Sequence, residues 1–324
     1  PIFPGESRTY DMSPRQDGSM FYHCHVQPQT HVLMGLNGLF VVEPNRPDNW
    51  VQTLNVGSGQ VRHPSVAVKE SHDREYDLNY IGIDYDMHNI LKTSNDPRVV
   101  SRRLHREYNV TQRKPEAFLL NGRSFPYTIR ESLLIVKPDE NIKVRVLNSG
   151  ADPIYLHTHG HKVIETHYDG IERPEANRIT RDVVHVGPAQ RVDLNLRTVD
   201  DGLHSYGPGV WFMHDHREEG VTTNGIGPGG NVSMIVYEEF LGENGIPKTK
   251  GDLTTFFTEE YYRGEIPVFS EMDPKGLLSE PIPAASTSAG IALTALLVAF
   301  LGVFFGSLIW LIRTGSGGAA RADG

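Results

Sequence analysis

The residues best suited to chemistry in this sequence form one short motif, His23-Cys24-His25, and a further histidine follows at His31. Cys24 is the only cysteine in the chain, so it cannot form an intrachain disulfide. Apolar residues flank the motif and predict a β-strand, along which successive side chains point to opposite faces. Cys24 should therefore point to one side while His23 and His25 point to the other. One strand can in this way supply ligands to two metal sites.

A thiolate combined with imidazoles and a weak axial group is the ligand set of a blue copper electron-transfer centre. We assign Cys24 and His31 to such a centre. The alternative is a buried, inert cysteine beside surface histidines, which is the usual state of a free cysteine. The His-Cys-His spacing and the nearby third histidine favour copper.

Two further histidine pairs have the same spacing of two residues, His157/His159 and His214/His216. On a strand, each pair lies on one face and can bind a metal from a single direction. Imidazole suits copper, and although zinc is an alternative for any one pair, zinc does not explain a cysteine between two histidines. Asp215 stands between His214 and His216, where it offers no soft ligand.

The stretch around Cys24 resembles the blue-copper loop of multicopper oxidases, and residues 31–38 also resemble copper nitrite reductases. The resemblance covers roughly residues 1–47 and 115–240. It implies that Cys24 and His31 bind a type 1 copper, with Leu36 or Met34 as the axial residue. It also implies a trinuclear cluster of one type 2 copper and a binuclear type 3 copper, whose ligands would be His23, His25, His157, His159, His214 and His216.

The same resemblance suggests how the chain is assembled. The family's cluster uses eight histidines in four pairs, and we expect the fourth pair upstream of Pro1 or on a partner that supplies the missing half of the first domain. Ile154 stands where the family has a blue-copper histidine ahead of His157, so the second domain should carry cluster ligands only. Two-domain relatives imply a homotrimer, in which the first domain of one subunit meets the second domain of its neighbour.

Composition predicts an all-β protein. Glycine (32) and proline (21) are plentiful and bound many short apolar runs, a profile typical of sandwiches and barrels. We predict tandem cupredoxin-like Greek-key domains, the first one incomplete. Asn121-Gly122 predicts a two-residue hairpin turn, and the charged residues 86–114 predict a less regular, solvated surface. The predicted segments are the end of the first cupredoxin domain (1–47), a linker (48–72), the second cupredoxin domain (73–243), a stalk (244–288), a transmembrane helix (289–312) and a cytoplasmic tail (313–324).

The C-terminal region predicts a membrane anchor. Residues 289–312 are 24 consecutive residues without a charge, enough to span a bilayer as a helix. Arg313 and Arg321 follow them, so the positive-inside rule places the C-terminus in the cytoplasm and the copper domains in the periplasm or outside the cell. The formal net charge of −9 argues against nucleic acid as a partner.

These features together predict a membrane-anchored multicopper oxidase. Electrons from an unidentified reducing substrate would enter at Cys24, and dioxygen would be reduced to water at the cluster. Glu218 and Glu219, which follow His216, are candidate proton donors. The alternatives are a copper nitrite reductase and a non-catalytic cupredoxin subunit of a membrane redox complex.

Overall fold

The structure is a computed structural model that describes residues 2, 5–14, 16–42, 48–51, 63–68 and 72–265. The predicted transmembrane helix and cytoplasmic tail, and the stalk beyond residue 265, lie outside these residues. Within the described part of the chain, no helix is long and apolar enough to cross a membrane. The chain divides into two compact units, residues 1–258 and 259–324. The second unit is described only at its start, where it forms one short helix, Glu259–Tyr262.

The stretch around Cys24 forms a small hairpin. Strands β1 (Gly18–His23) and β2 (Asn37–Val42) pair antiparallel, with His23 opposite Asn37, and helix α1 (Pro28–His31) lies between them. Strand β1 ends at His23, so Cys24 is the first residue beyond it. The observed strand is therefore shorter than the predicted one, which covered the whole motif, because the chain turns there towards α1. Strands β3 (Asp48–Val51) and β4 (His63–Val68) then form a separate antiparallel pair within the segment predicted as a linker.

The remaining elements build a two-sheet β-sandwich, which confirms the mostly β cupredoxin-like prediction. One sheet has the strand order β11-β10-β14-β8-β5-β6, with β12 paired to β10, and the other has the order β13-β9-β15-β16-β7. Their bounds are β5 (Arg74–Ile83), β6 (Ala117–Leu120), β7 (Leu134–Val136), β8 (Asn141–Asn148), β9 (Ile154–Thr158), β10 (Val163–Tyr168), β11 (Ile171–Glu172), β12 (Ile179–Arg181), β13 (Val183–Val186), β14 (Arg191–Arg197), β15 (Val210–Asp215) and β16 (Ser233–Tyr237).

Alternation along the central strands separates the core from an outer polar face. In β8, Val144 and Val146 point into the core between the sheets, while Arg145 points outwards. Arg145 is nevertheless buried, because β1 covers this face of the sheet. Ser19 of β1 donates a hydrogen bond to Asp193 (2.6 Å) and accepts one from Arg145 (2.9 Å). The hairpin is therefore anchored to the sandwich by a buried charged network.

The segment predicted to be irregular, residues 86–114, contains two helices instead. Helices α2 (Tyr85–Leu91) and α3 (Pro97–Glu107) begin at the side-chain caps Asp84 and Asp96. Helix α3 was not predicted because most of its residues are charged or polar, and Leu104 is its only buried residue. An aspartate followed by proline is a helix-start signal that could have revealed α3. Shorter elements are α4 (Thr128–Glu131) and 3-10 turns at Val110–Gln112, Glu175–Asn177, Glu218–Val221, Glu238–Phe240 and Leu253–Phe257.

Candidate metal centre

The thiol of Cys24 lies beside the ring of His31. Its Sγ atom is 3.1 Å from Nδ1 of His31, and the backbone N–H of Val26 donates to the same sulfur at 3.5 Å. The backbone N–H of Cys24 donates to the carbonyl of Leu36 at 3.1 Å, which ties the two ends of the loop together. The loop therefore presents a soft sulfur and an imidazole nitrogen side by side, as copper requires of its ligands.

Helices α2 and α3, which were not predicted from the sequence, pack against this loop. Leu33, two residues after His31, is buried in a cluster with Met87 of α2 and Leu104 of α3. Ser101 of α3 also donates a hydrogen bond to the side chain of Gln27, at 3.1 Å. Packing against a second element fixes the loop that carries the imidazole.

The axial position stays a prediction for either candidate. Met34 is 39% exposed and Leu36 is 57% exposed, so both lie near the surface of the loop. Leu36 holds the loop through its backbone carbonyl, whatever its side chain contacts.

The two histidines that flank Cys24 are exposed and form a pair of their own. The ring centroids of His23 and His25 are 5.8 Å apart, and the rings are stacked. Nδ1 of His23 lies 2.9 Å from the carbonyl oxygen of Cys24, which orients its ring. Tyr22, next to them, is 53% exposed. The pair is open to a partner surface.

The histidine pairs His157/His159 and His214/His216 meet at adjacent strands of the sandwich. In the pairing of β9 with β15, His157 lies directly opposite His214, and the ring centroids of His157 and His216 are 5.1 Å apart. Nε2 of His159 and Nε2 of His214 are separated by 3.0 Å. Within the described residues, His157, His159 and His214 form a group whose ligand atoms all lie within 4.8 Å of one another. His23 and His25 of the same chain are not part of this group.

Electrostatics keep these imidazoles suited to metal binding. Burial lowers the pKa of both His157 and His159, and the neighbouring histidines lower it further. A neutral imidazole retains the lone pair that a metal needs. Among the described residues, the buried Nδ1 of His157 has no hydrogen-bond partner.

A buried network behind His157 and His159 supports the loop that follows them, and most of this network was not predicted from the sequence. His161 is 2% exposed; its Nδ1 donates to the carbonyl of His159 at 3.0 Å, and its Nε2 lies 3.1 Å from the hydroxyl of Tyr237. Gly160 has a φ of +65°, and a Cβ there would come within 2.3 Å of the Trp211 ring. Its position after the histidine pair was the available signal for this close approach.

The two acidic candidates lie in the 3-10 turn after His216. Glu218 and Glu219 are both exposed. Their assignment as proton donors stays a prediction.

The fold and the ligand atoms together define a copper protein of the cupredoxin class. Family models described as multicopper oxidase match residues 1–47 and 98–225, together more than half of the chain. The chain belongs to the multicopper oxidase family, as its motifs predicted, and members of this family are copper oxidoreductases.

Individual relatives agree with this assignment. The chain is 23% identical over 269 residues to the iron transport multicopper oxidase FET3 of Gibberella zeae; the match covers 75% of this chain but spans only 37% of that protein's length. The crystal structure of the blue copper oxidase from Nitrosomonas europaea is similar with a TM-score of 0.54 and 26% identity, over 80% of this chain and 69% of that one. The multicopper oxidase mgLAC has the same fold, with a TM-score of 0.50 and 23% identity over 76% and 65% of the respective chains.

Proposed function

We propose that this protein is a membrane-anchored multicopper oxidase. It would couple the one-electron oxidation of a reductant at a type 1 copper to the reduction of dioxygen to water at a trinuclear copper cluster. One observation carries the proposal: Sγ of Cys24 lies 3.1 Å from Nδ1 of His31, while His23 and His25 flank the same cysteine as a separate pair. Bound copper supplies the redox chemistry of both centres.

The protein's own residues position and connect these centres. Cys24 and His31 provide a thiolate and an imidazole for the type 1 site. The peptide bonds from Cys24 to its neighbouring histidines provide a short covalent path between the two sites. His157 and His159, whose pKa values are lowered by burial, remain neutral ligands at neutral pH. Glu218 and Glu219 would pass protons from solvent towards the cluster.

A homotrimer accounts for the separation of the histidine pairs. His23 and His25 are exposed, and Phe212, which lies 6.1 Å from the His159 ring between ring centroids, is 51% exposed. A second copy of the chain would cover both surfaces and add the pair from one subunit to the two pairs of its neighbour. A partner chain that supplies the missing cupredoxin half is the alternative source of further ligands.

Subunit complementation tests this arrangement. A variant with His23 and His25 replaced by alanine, and another with His157 and His159 replaced by alanine, should each lack oxidase activity. Mixed oligomers assembled from both would contain some intact interfaces and should recover part of the activity. Recovery would not occur if each chain built its cluster alone. A fully active protein whose molar mass by light scattering is that of a monomer would also exclude the trimer.

The proposed anchor rests on the uncharged residues 289–312, with the copper domains in the periplasm or outside the cell. Alkaline extraction of membranes should leave the full chain in the pellet and release a chain truncated after residue 265. A full chain that is extracted completely would contradict the anchor.

The activity itself is tested by metal content and by the identity of the oxidant. The purified protein should bind type 1, type 2 and type 3 copper and consume dioxygen with a small phenolic or inorganic reductant. Consumption of nitrite in the absence of dioxygen would instead support the copper nitrite reductase alternative. Copper binding without either activity would support the electron-transfer subunit.

A further inference from the structure

Asp215 has a buried carboxylate in the middle of the motif His214-Asp215-His216, called the second motif below. It is 1% exposed, and burying a carboxylate costs free energy unless it is hydrogen-bonded or paired. Its Oδ1 accepts the backbone N–H groups of Tyr155 (2.9 Å) and Arg217 (3.2 Å). Its own backbone N–H donates to the side-chain oxygen of Asn231 at 3.2 Å. Asp215 therefore joins its own segment, residues 215–217, to the backbone of Tyr155 and to the side chain of Asn231.

The segments of Tyr155 and Asp215 carry the histidines. Tyr155 lies on β9, two residues before His157, and Asp215 is the last residue of β15. The backbone N–H of His216 donates to the carbonyl of Tyr155 at 2.8 Å. The carboxylate thus continues the pairing of the two strands beyond their last paired residues, and this pairing keeps His157 opposite His214.

The surroundings of Asp215 do not favour a cation. Nε of Arg217 lies 3.7 Å from its Oδ2, and a guanidinium this close repels a metal ion. Ile154 contributes only an apolar side chain. Both hydrogen bonds of the carboxylate are therefore made by Oδ1 to backbone N–H groups, and Oδ2 has no hydrogen-bond partner among the described residues.

We propose that Asp215 is a positioning residue, which holds the pairs His157/His159 and His214/His216 in register. Its Oδ1 accepts the N–H of Tyr155 across the two strands and the N–H of Arg217 in the turn that follows its own strand. This inference rests on the proposed function, because it takes these histidines to be copper ligands. At the equivalent place in the first motif, the thiolate of Cys24 would be held by a metal. In the second motif, hydrogen bonds hold the strand end without one.

Copper affinity of the copper-depleted chain tests the role directly. The protein competes with a chromophoric chelator for copper(II), and the electron paramagnetic resonance spectrum of the bound ion is recorded as well. All variants carry Cys24→Ser, so that the thiolate does not contribute. Asp215→Ala removes both acceptor bonds and should weaken binding about 10- to 100-fold, the usual effect of losing a group that orients metal ligands. It should also change the hyperfine splitting of the spectrum.

A conservative variant separates hydrogen bonding from charge. Asp215→Asn keeps the oxygen that accepts both N–H groups, so its affinity should stay within about threefold of the parent and its spectrum should be restored. Asp215→Ser has a shorter side chain that cannot hold both strands, and it replaces the alanine variant if that variant does not fold.

A matched control is Thr198, the first residue after β14, which bonds to the turn that leads into β8. Thr198 is also 1% exposed, and its hydroxyl accepts from the N–H of Glu140 at 2.7 Å and donates to the carbonyl of Lys137 at 2.6 Å. Thr198→Ala also removes two hydrogen bonds, so it should lower the melting temperature while leaving copper affinity unchanged.

Three results would overturn the inference. These are unchanged affinity in Asp215→Ala, equal losses in Asp215→Asn and Asp215→Ala, and a loss in Thr198→Ala as large as that in Asp215→Ala. Copper binding of the parent protein is measured first. If the parent binds no copper at its histidines, the proposed function itself is overturned.

Discussion

The motifs His23-Cys24-His25 and His214-Asp215-His216 have the same spacing and lie at the ends of β-strands, but they differ in the middle residue. In the first, the middle side chain lies beside an imidazole nitrogen in a loop between two strands. In the second, it accepts one backbone N–H from the neighbouring strand β9 and one from Arg217, two residues further along its own segment. A strand end that presents two imidazoles on one side needs an anchor on the other. A ligand set for a soft metal and a hydrogen-bonded carboxylate are two ways to provide it.

The two regions also differ in how they are held to the rest of the molecule. The second motif lies on β15, whose inward residue Met213 is fully buried in the apolar core. The first motif follows β1, which is attached to the outer face of the sheet through Ser19, Arg145 and Asp193. An apolar core tolerates changes of pH, whereas a charged network depends on the ionisation of its members.

The largest effect is expected from removing the soft ligand of the first motif. Cys24→Ser should abolish the intense visible colour and the oxidase turnover while sparing the copper bound by histidines, because a hydroxyl does not replace a thiolate as a copper ligand. Absorption spectroscopy, dioxygen uptake and metal analysis measure these three properties. The matched change in the second motif, Asp215→Cys, should create no second blue site, because Ile154 is not a ligand and Arg217 is adjacent. A blue Cys24→Ser protein would refute the assignment.

A loss of several kcal/mol is expected from the network that attaches the first motif. Asp193→Asn removes the carboxylate that lies 2.5 Å from the buried guanidinium of Arg145, while Glu75, whose Oε2 is 3.7 Å from Nε of Arg145, remains. The change should lower the free energy of unfolding by about 3–5 kcal/mol, as measured by chemical denaturation. Although burial alone would raise it, the pKa of Asp193 is lowered by the positive charge of Arg145.

The same carboxylate predicts a pH dependence. Because its pKa is lower in the folded state, its contribution is fully present above the ordinary aspartate pKa of about 4 and is lost as the pH falls through the folded value. The parent should lose stability on acidification below about pH 4, and Asp193→Asn should lose less of it over the same range. If the parent and Asp193→Asn lost the same stability over this pH range, the result would contradict the role of the network.

A smaller loss is expected beside the His157/His159 pair, which faces the second motif. Gly160→Ala places a Cβ within 2.3 Å of the Trp211 ring at a φ of +65°, and should cost about 1–3 kcal/mol and displace His159. Gly202→Ala has a similar φ of +71° but no atom within 4 Å of the added Cβ, so it isolates the backbone cost. Equal losses of stability and copper in the two variants would show that contact with Trp211 is unimportant.

The smallest effect is expected in the network behind His161. Tyr237→Phe removes the hydroxyl that lies 2.9 Å from Oγ of Ser205 and 3.1 Å from Nε2 of His161. The expected loss is about 1 kcal/mol, with a small change in the spectrum of copper bound by the second domain. A loss no larger than that of an exposed tyrosine, such as Tyr206→Phe, would mean that the hydroxyl does not support the loop.

Much of the local structure was predictable because it depends on neighbours in sequence. Asn121 and Gly122 form the expected tight turn with φ values of +52° and +77°, since both residues tolerate this conformation. The spacing of His157 and His159 gave their common face, because alternation is a property of any strand. Helix α3 was missed because its few inward residues are outnumbered by charged ones, although Asp96 and Pro97 marked its start.

The sequence by itself determined the kind of ligands, their spacing and the family, because these follow from residue identity and from the period of a strand. Only the tertiary structure decided that His157 lies opposite His214, that Leu33 packs beneath two helices, and that the carboxylate of Asp215 joins two strands. Such contacts depend on which distant segments meet when the sheets pack. That choice is a sum over many weak, long-range interactions, and it is not contained in any short stretch of residues.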